Sequence, residues 1–286
     1  MSASAVYARR FVSLVKLEHT VFALPYAYAG AILAAGGVPS AARLLWITVA
    51  MAGARSLAMA SNRLIDAEID ARNPRTAGRE IPAGLLSRGQ VLAFCAASLA
   101  VFLVAVWQLP PITHVLWPIP VAGFVVYPYL KRFTWLCHGM LGAVDGLAPV
   151  GGWVAVTGSL RLEPWLLGAA VALWIGGFDI IYATMDLEID RSQGLHSIPR
   201  RFGVGWALRV TRAAHLASVV LLVWLGLALS LGPAYWLAVA VVAALLAYEN
   251  SIVHEHDLSR VNLAFLTMNG VIALVFLAGV LVDALA

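Results

Sequence analysis

Residues 164–190 read PWLLGAAVALWIGGFDIIYATMDLEID. An apolar run long enough to cross a hydrocarbon layer as a helix, which takes roughly 20 residues, closes on two aspartates, Asp186 and Asp190, with Asp179 the one charge inside it. Working outward, comparable runs occupy 20–37, 43–65, 89–109, 112–130, 135–157, 207–231, 233–252 and 262–283, so that with 164–185 the chain predicts nine spans. The composition agrees. The 286 residues are 62% hydrophobic and 12% charged with a mean hydropathy of +0.86, too few polar side chains to cover a water-facing surface. A soluble globule is excluded, and a single all-α, polytopic membrane domain over 1–286 with the lipid bilayer as solvent is expected. Pro118, Pro120, Pro128 and Pro149 fall inside the fourth and fifth runs and predict kinks there. Ala27-Tyr28-Ala29 resembles a signal-peptidase site, but the apolar stretch before it, Val21 to Tyr26, is too short for a signal sequence, so an uncleaved helix is expected.

Basic residues orient the spans. With alternating passage, Arg9, Arg10, Lys16 and the bases of segments 66–88, 131–134, 186–206 and 253–261 share one side, whereas Arg43 and Arg161 take the other. Cytoplasmic loops keep positive charge. The amino terminus and both long loops are therefore expected in the cytoplasm, with the chain in the inner (plasma) membrane. The pI near 9.3 reports this orientation rather than a nucleic-acid partner. Cys95 and Cys137 lie in apolar runs without paired cysteines or clustered histidines, which predicts neither disulfides nor zinc.

The acids are concentrated in two copies of one pattern, Asp66-Ala-Glu-Ile-Asp70 and Asp186-Leu-Glu-Ile-Asp190, each ending a span at the same face and each followed by an arginine and an Ile-Pro pair. On a helix, Asn62, Asp66 and Asp70 occupy one stripe about 12 Å long, and Tyr182, Asp186 and Asp190 repeat it. Two facing helices would then present four carboxylates to one cavity. Carboxylates this close repel at the edge of a low-dielectric slab, and divalent cations remove the conflict. Oxygen-only ligands suit Mg²⁺ or Ca²⁺, and Mg²⁺ favours a few carboxylates combined with water and substrate phosphates. Arg75, Arg79, Tyr127, Lys131, Arg200 and Arg201 fall at the same face, where a phosphate-rich ligand would satisfy both metals and bases. Salt bridges from the acids to neighbouring arginines are the plain alternative; repetition of the motif at one depth favours the metal-binding reading.

These residues resemble the UbiA superfamily of intramembrane aromatic prenyltransferases, whose pattern is N-D-x-x-D-x-x-x-D on the second helix and D-x-x-x-D on the sixth. Here the first motif runs from Asn62 to Asp70 and continues Arg72-Asn73-Pro74-Arg75-Thr76-Ala77-Gly78-Arg79, with Arg63 where the family often has an aspartate; the second runs from Tyr182 to Asp190, and Tyr127-x-x-x-Lys131 fits a family signature. The loop Gly194-Leu195-His196-Ser197-Ile198-Pro199 looks more like 4-hydroxybenzoate polyprenyltransferase-like bacterial proteins, some of which serve menaquinone synthesis by the futalosine route. The resemblance implies a nine-helix bundle around a cavity capped by the two cytoplasmic loops. It also implies Mg²⁺ bridging Asp66, Asp70, Asp186 and Asp190 to a polyprenyl diphosphate, and a small aromatic acid as acceptor for quinone synthesis. Tyr127, Lys131 and Tyr182 would join the four aspartates in catalysis. Asn62, Arg75, Arg79, Arg200 and Arg201 would bind substrate.

Arg55 and Asp179 lie seven residues before Asn62 and Asp186, on the same stripes and deeper in the membrane. A charge there is costly and marks function. Arg55 suits an aromatic carboxylate; an Arg55–Asp179 ion pair is the open alternative. Asp145 gains no role. Homogentisate, haem or a chlorophyll precursor are other possible acceptors within the superfamily. A secondary transporter of an anionic solute would also carry intramembrane charges, but near the midplane and reachable from both sides; here they crowd one face. If four carboxylates need cations, diphosphate release should require Mg²⁺ and stop on chelation. Full turnover in excess chelator would exclude the diphosphate–metal reading.

Overall fold

The computed structural model describes residues 10–15, 17–261 and 268–286; Arg9, Lys16 and the start of the last expected span, 262–267, lie outside the described residues. The helices are α1 (Leu17–Ala35), α2 (Ala41–Ile65), α3 (Ala67–Ala71), α4 (Arg88–Trp107), α5 (Thr113–Leu116), α6 (Pro118–Leu130), α7 (Cys137–Thr157), α8 (Leu162–Ala183), α9 (Leu187–Gln193), α10 (Ile198–Phe202), α11 (Val204–Ala228), α12 (Pro233–Ile252) and α13 (Asn269–Leu285). A 3₁₀ turn, Thr184–Asp186, joins α8 to α9. Among the described residues there is no strand, only an isolated bridge between His254 and Asp257. Six helical stretches are long and apolar enough to cross a membrane: Ala41–Ile65, Arg88–Trp107, Cys137–Thr157, Leu162–Gln193, Val204–Ala228 and Pro233–Ile252. Shorter apolar helices run over Ala23–Ala35 and Asn269–Leu285. The chain is a multi-pass, all-α membrane protein.

The run expected as one span over 112–130 divides into α5 and α6. Pro118 has no N–H to continue α5, and it starts the next helix at the first-turn position where the missing N–H costs nothing. Elsewhere, local chemistry marks helix ends as the sequence allows. Ser87 and Gln90 form a reciprocal capping box at α4, and Gly158 ends α7 at φ 65°.

Apolar packing divides around a central space. One cluster joins Tyr26, Trp174, Leu225, Tyr235, Ile272 and Phe276, from α1, α8, α11, α12 and α13. Another sets Leu57 and Ala60 of α2 against Val91 and Cys95 of α4. Both cysteines are free and buried. Between membrane helices lipid gives little hydrophobic drive, so association relies on small residues that admit close backbone approach. A Cβ on Gly142 of α7 would lie 2.1 Å from the Ala172 carbonyl oxygen of α8, and one on Gly152 would lie 2.0 Å from that of Ala27 in α1. These contacts press α7 against both neighbours and determine which side chains of α7 reach α8. Gly142→Val should therefore force α7 from α8, at about 1–3 kcal/mol. A melting temperature in detergent equal to that of the wild type would contradict this close contact.

Candidate functional site

The first acid of each motif sits at a break between helices. Asp66, between α2 and α3, has φ −91° and ψ 3°; Asp186, between the 3₁₀ turn and α9, has φ −99° and ψ 7°. This is the bridge region of backbone space, sparsely populated and frequent in active sites. The two copies therefore share a backbone conformation as well as a sequence. Asp66 N–H still donates to the Asn62 carbonyl at 2.9 Å, and Asp70 N–H to that of Asp66 at 2.8 Å, so the expected stripe survives the break. Asn62 Nδ2 donates to Asp66 Oδ2 at 3.3 Å.

Each motif acid has a polar partner. Lys131 Nζ lies 2.5 Å from Asp66 Oδ2, and Arg132 Nη2 lies 3.3 Å from Oδ1. Arg79 Nη1 donates to both oxygens of Asp70 at 2.7 Å. Arg75 grips Asp186 through Nε at 3.0 Å and Nη2 at 2.5 Å, while its Nη1 donates to the Tyr182 hydroxyl at 2.6 Å. Ser197 Oγ donates to Asp190 Oδ2 at 2.6 Å. The first loop thus clasps the second motif, and Asn73 adds a bond from Nδ2 to Asp186 Oδ1 at 3.1 Å. Asp66 is 1% exposed, and burial pushes its carboxyl above the usual range against the opposing pull of Lys131 and Arg132. Its Oδ1 makes no hydrogen bond.

Below this charged end lies a cavity of about 530 Å³. Asn62, Arg79, Tyr127 and Tyr182 line it near the motifs, and Phe102, Leu116, Trp117, Leu160 and Trp165 line its apolar reaches. Arg63, where an acid was lacking, instead offers the cavity a buried guanidinium. Arg55, Asp145 and Asp179 also line it, but their pairing corrects the one expected. Arg55 Nη1 stands 3.5 Å from Asp145 Oδ1, and Asp179 Oδ2 is 2.7 Å from His138 Nδ1. The third helix at this level, α7, supplies a partner to each. Arg200 and Arg201 do not join the motif acids: Arg200 donates to the Leu195 carbonyl of its own loop, and Arg201 lies over Phe202, 5.9 Å from the ring centre. Arg132, Asn73, Asp145 and His138 are the site residues that sequence reasoning left without a role. Arg132 could have been found from its place beside Lys131 and Asn73 from its Asn-Pro turn. His138 gives no signal in an apolar run.

The profile of the UbiA prenyltransferase family matches residues 23–278. The chain belongs to this family. Among relatives, it is 30% identical to a 4-hydroxybenzoate octaprenyltransferase of Vibrio cholerae over 98% of this chain and 99% of that one. It is 31% identical to one of Tolumonas auensis over 87% and 86%. Among solved structures, the apo structure of a UbiA homolog from Aeropyrum pernix K1 superimposes with a TM-score of 0.85 at 36% identity, covering 93% and 98% of the two chains. A UbiA homolog from Archaeoglobus fulgidus bound to GPP and Mg²⁺ shares the fold, with a TM-score of 0.70 at 19% identity over 97% and 100%. The protein is thus a UbiA-type membrane prenyltransferase.

For such an enzyme the buried acid clasp is the region to test. Asp66→Asn, Asp70→Asn, Asp186→Asn and Asp190→Asn should each slow diphosphate release by ~10²-fold or more while the helices remain inserted. Near-wild-type rates in any two of the four would reject a paired-motif centre.

Proposed function

We propose that the protein transfers a polyprenyl group from a polyprenyl diphosphate to a small aromatic acid, 4-hydroxybenzoate or a dihydroxynaphthoate, in ubiquinone or menaquinone biosynthesis. The observation that carries this reading is a cavity with two clasped acid motifs at one end, an apolar interior and Arg55 in its wall. The names of the relatives support the hydroxybenzoate class. Nine spans, with the motif loops capping the cavity on the cytoplasmic side of the inner membrane, complete the proposal. The domain is one, over 1–286.

Among the described residues no three acidic, histidine or cysteine side chains converge to hold an ion by themselves. Mg²⁺ does not require that, because it commonly takes one or two carboxylates and completes its shell with phosphate oxygens and water. The donors here fit: they are all oxygens, in two pairs on facing segments, and Asp66 Oδ1 accepts no hydrogen bond. Asp66, Asp70, Asp186 and Asp190 would hold the ion, with Asn62 beside them. When bound, it supplies positive charge to the leaving diphosphate. Arg75, Arg79 and Lys131 already stand at these carboxylates and need only turn to grip phosphate oxygens, so their charge stabilises what grows as the allylic C–O bond breaks. Tyr127 and Tyr182 line the cavity where the allylic cation would form. The apolar walls take the isoprenoid tail and exclude water.

Arg55 receives the acceptor's carboxylate. Its pairing with Asp145 is loose at 3.5 Å, its Nε makes no hydrogen bond, and a guanidinium has five donors. It also lies ~16 Å along the helix from Asp66, too far to share a diphosphate. Arg55→Ala should weaken carboxylate-bearing acceptors by ~1.5–3 kcal/mol in kcat/KM, with the affinity for prenyl diphosphate little changed. Both affinities should be measured in Arg55→Ala and in Arg55→Ala/Asp145→Asn. Equal losses for both substrates that are restored in the double variant would show that Arg55 only neutralises Asp145.

A further inference from the structure

We propose that His138 is a positioning residue that fixes Asp179 as the acceptor of the ring proton and ties it to the second motif loop. This rests on the aromatic-acid reading above. His138 lies in the first turn of α7, 4% exposed, with Nδ1 2.7 Å from Asp179 Oδ2 and Nε2 3.4 Å from the backbone nitrogen of Ile198. Nδ1 faces the Asp179 carboxylate, and Nε2 faces the backbone N–H of the second motif loop. A carboxylate that receives this hydrogen bond is held in one orientation.

Two carboxylates line the cavity among the described residues. Asp145 faces the permanent charge of Arg55, the group assigned to the acceptor's carboxylate. Asp179 faces His138, which the second motif loop engages, and its side chain is about as open as that of Asp145. Its depth is also right. Seven helical residues place it ~10 Å below Asp186, short of the ~16 Å that separates Arg55 from Asp66, so it flanks the space between the diphosphate and the acceptor's carboxylate.

The electron count closes on these groups. The allylic C–O bond breaks and its pair leaves with the diphosphate. A ring carbon beside the hydroxyl then gives its π pair to the allylic cation, forming the C–C bond. The C–H bond at that carbon breaks next; its pair restores aromaticity and the proton passes to the Asp179 carboxylate, which discharges it to water as the products leave. The neighbouring Ser197 donates to Asp190. One turn of the second loop, Ser197-Ile198, therefore holds both a motif acid and, through His138, the proton acceptor. The two ends of the reaction are assembled by the same docked loop.

The test uses the full-length enzyme with Mg²⁺, geranyl diphosphate and 4-hydroxybenzoate, either protiated or deuterated on the ring carbons beside the hydroxyl. His138→Gln keeps an acceptor for Ile198 but loses the donor to Asp179. It should lower kcat by ~10–10²-fold with both KM values little changed, and raise the deuterium isotope effect above that of the wild type, because ring-proton loss becomes rate-limiting. Asp179→Asn should raise the isotope effect likewise. His138→Asn, whose amide can replace Nδ1–H, should restore most of the rate and the wild-type isotope effect. A His138→Gln enzyme with wild-type rate, or one slowed with no change in isotope effect, overturns the assignment. If the wild type prenylates no aromatic acid while still releasing diphosphate, the proposed acceptor class fails, and this inference with it.

Discussion

A carboxylate at the edge of a hydrocarbon slab is stable only if cations or hydrogen-bond donors stand against it, since the cost of leaving a buried charge unpaired is several kcal/mol. Two motif acids here are nearly fully buried, Asp66 at 1% and Asp70 at 4% exposure, and this need organises the surrounding chain. Lys131 and Arg132 reach Asp66 from the end of α6, Arg79 reaches Asp70, and Arg75 crosses to Asp186. The first loop therefore has a defined shape because three of its side chains, Asn73, Arg75 and Arg79, each satisfy an acid. Pairs of this kind add little net stability. They hold charge ready to be transferred to a more highly charged partner.

The same constraint explains why the helices break where they do. The break after α2 and the 3₁₀ turn after α8 fall at the first acid of each motif, while the i to i−4 bonding through Asp66 and Asp70 continues. The bond from Gln193 Nε2 to the Ile69 carbonyl joins the two motif segments at 3.3 Å. Glycines of α7 serve the other end of the argument. Because Gly142 brings α7 against α8, His138 and Asp145 of α7 reach the cavity level of Asp179 and Arg55.

Residue pattern made the helices, the two motifs and most of their bases legible. Long apolar runs and repeated acids are signals carried along one helix, and Arg75, Arg79 and Lys131 could be placed because depth alone puts them beside the aspartates. What depth cannot supply is rotation about the helix axis and the identity of a third helix. Arg55 and Asp179 do lie on the cavity walls at mid-bundle, but α7 intervenes with Asp145 and His138, so each meets a different partner. Arg200 and Arg201 share the level of the motifs, yet the short helix α10 directs them to Leu195 and Phe202. Pro118 divided an expected span for a reason visible in the sequence, whereas Pro149 left α7 continuous.

The distribution of charge along the cavity also decides between an enzyme and a transporter. Alternating access needs a site that can be wetted from either side, with polar groups on both approaches. Here the acids and bases occupy one mouth, two separate pairs occupy the middle, and the far reaches are walled by Leu116, Trp117, Leu160 and Trp165. A diphosphate could enter and leave at the charged mouth but would find no counter-charge beyond Arg55. The two pairs at mid-depth also differ in kind. One joins a carboxyl group to a guanidinium and leaves guanidinium donors free for an anion; the other joins a carboxylate to an imidazole whose second nitrogen is engaged by a loop amide. An anion-binding group and a proton-accepting group have opposite requirements, and setting them on separate partners lets one cavity carry both.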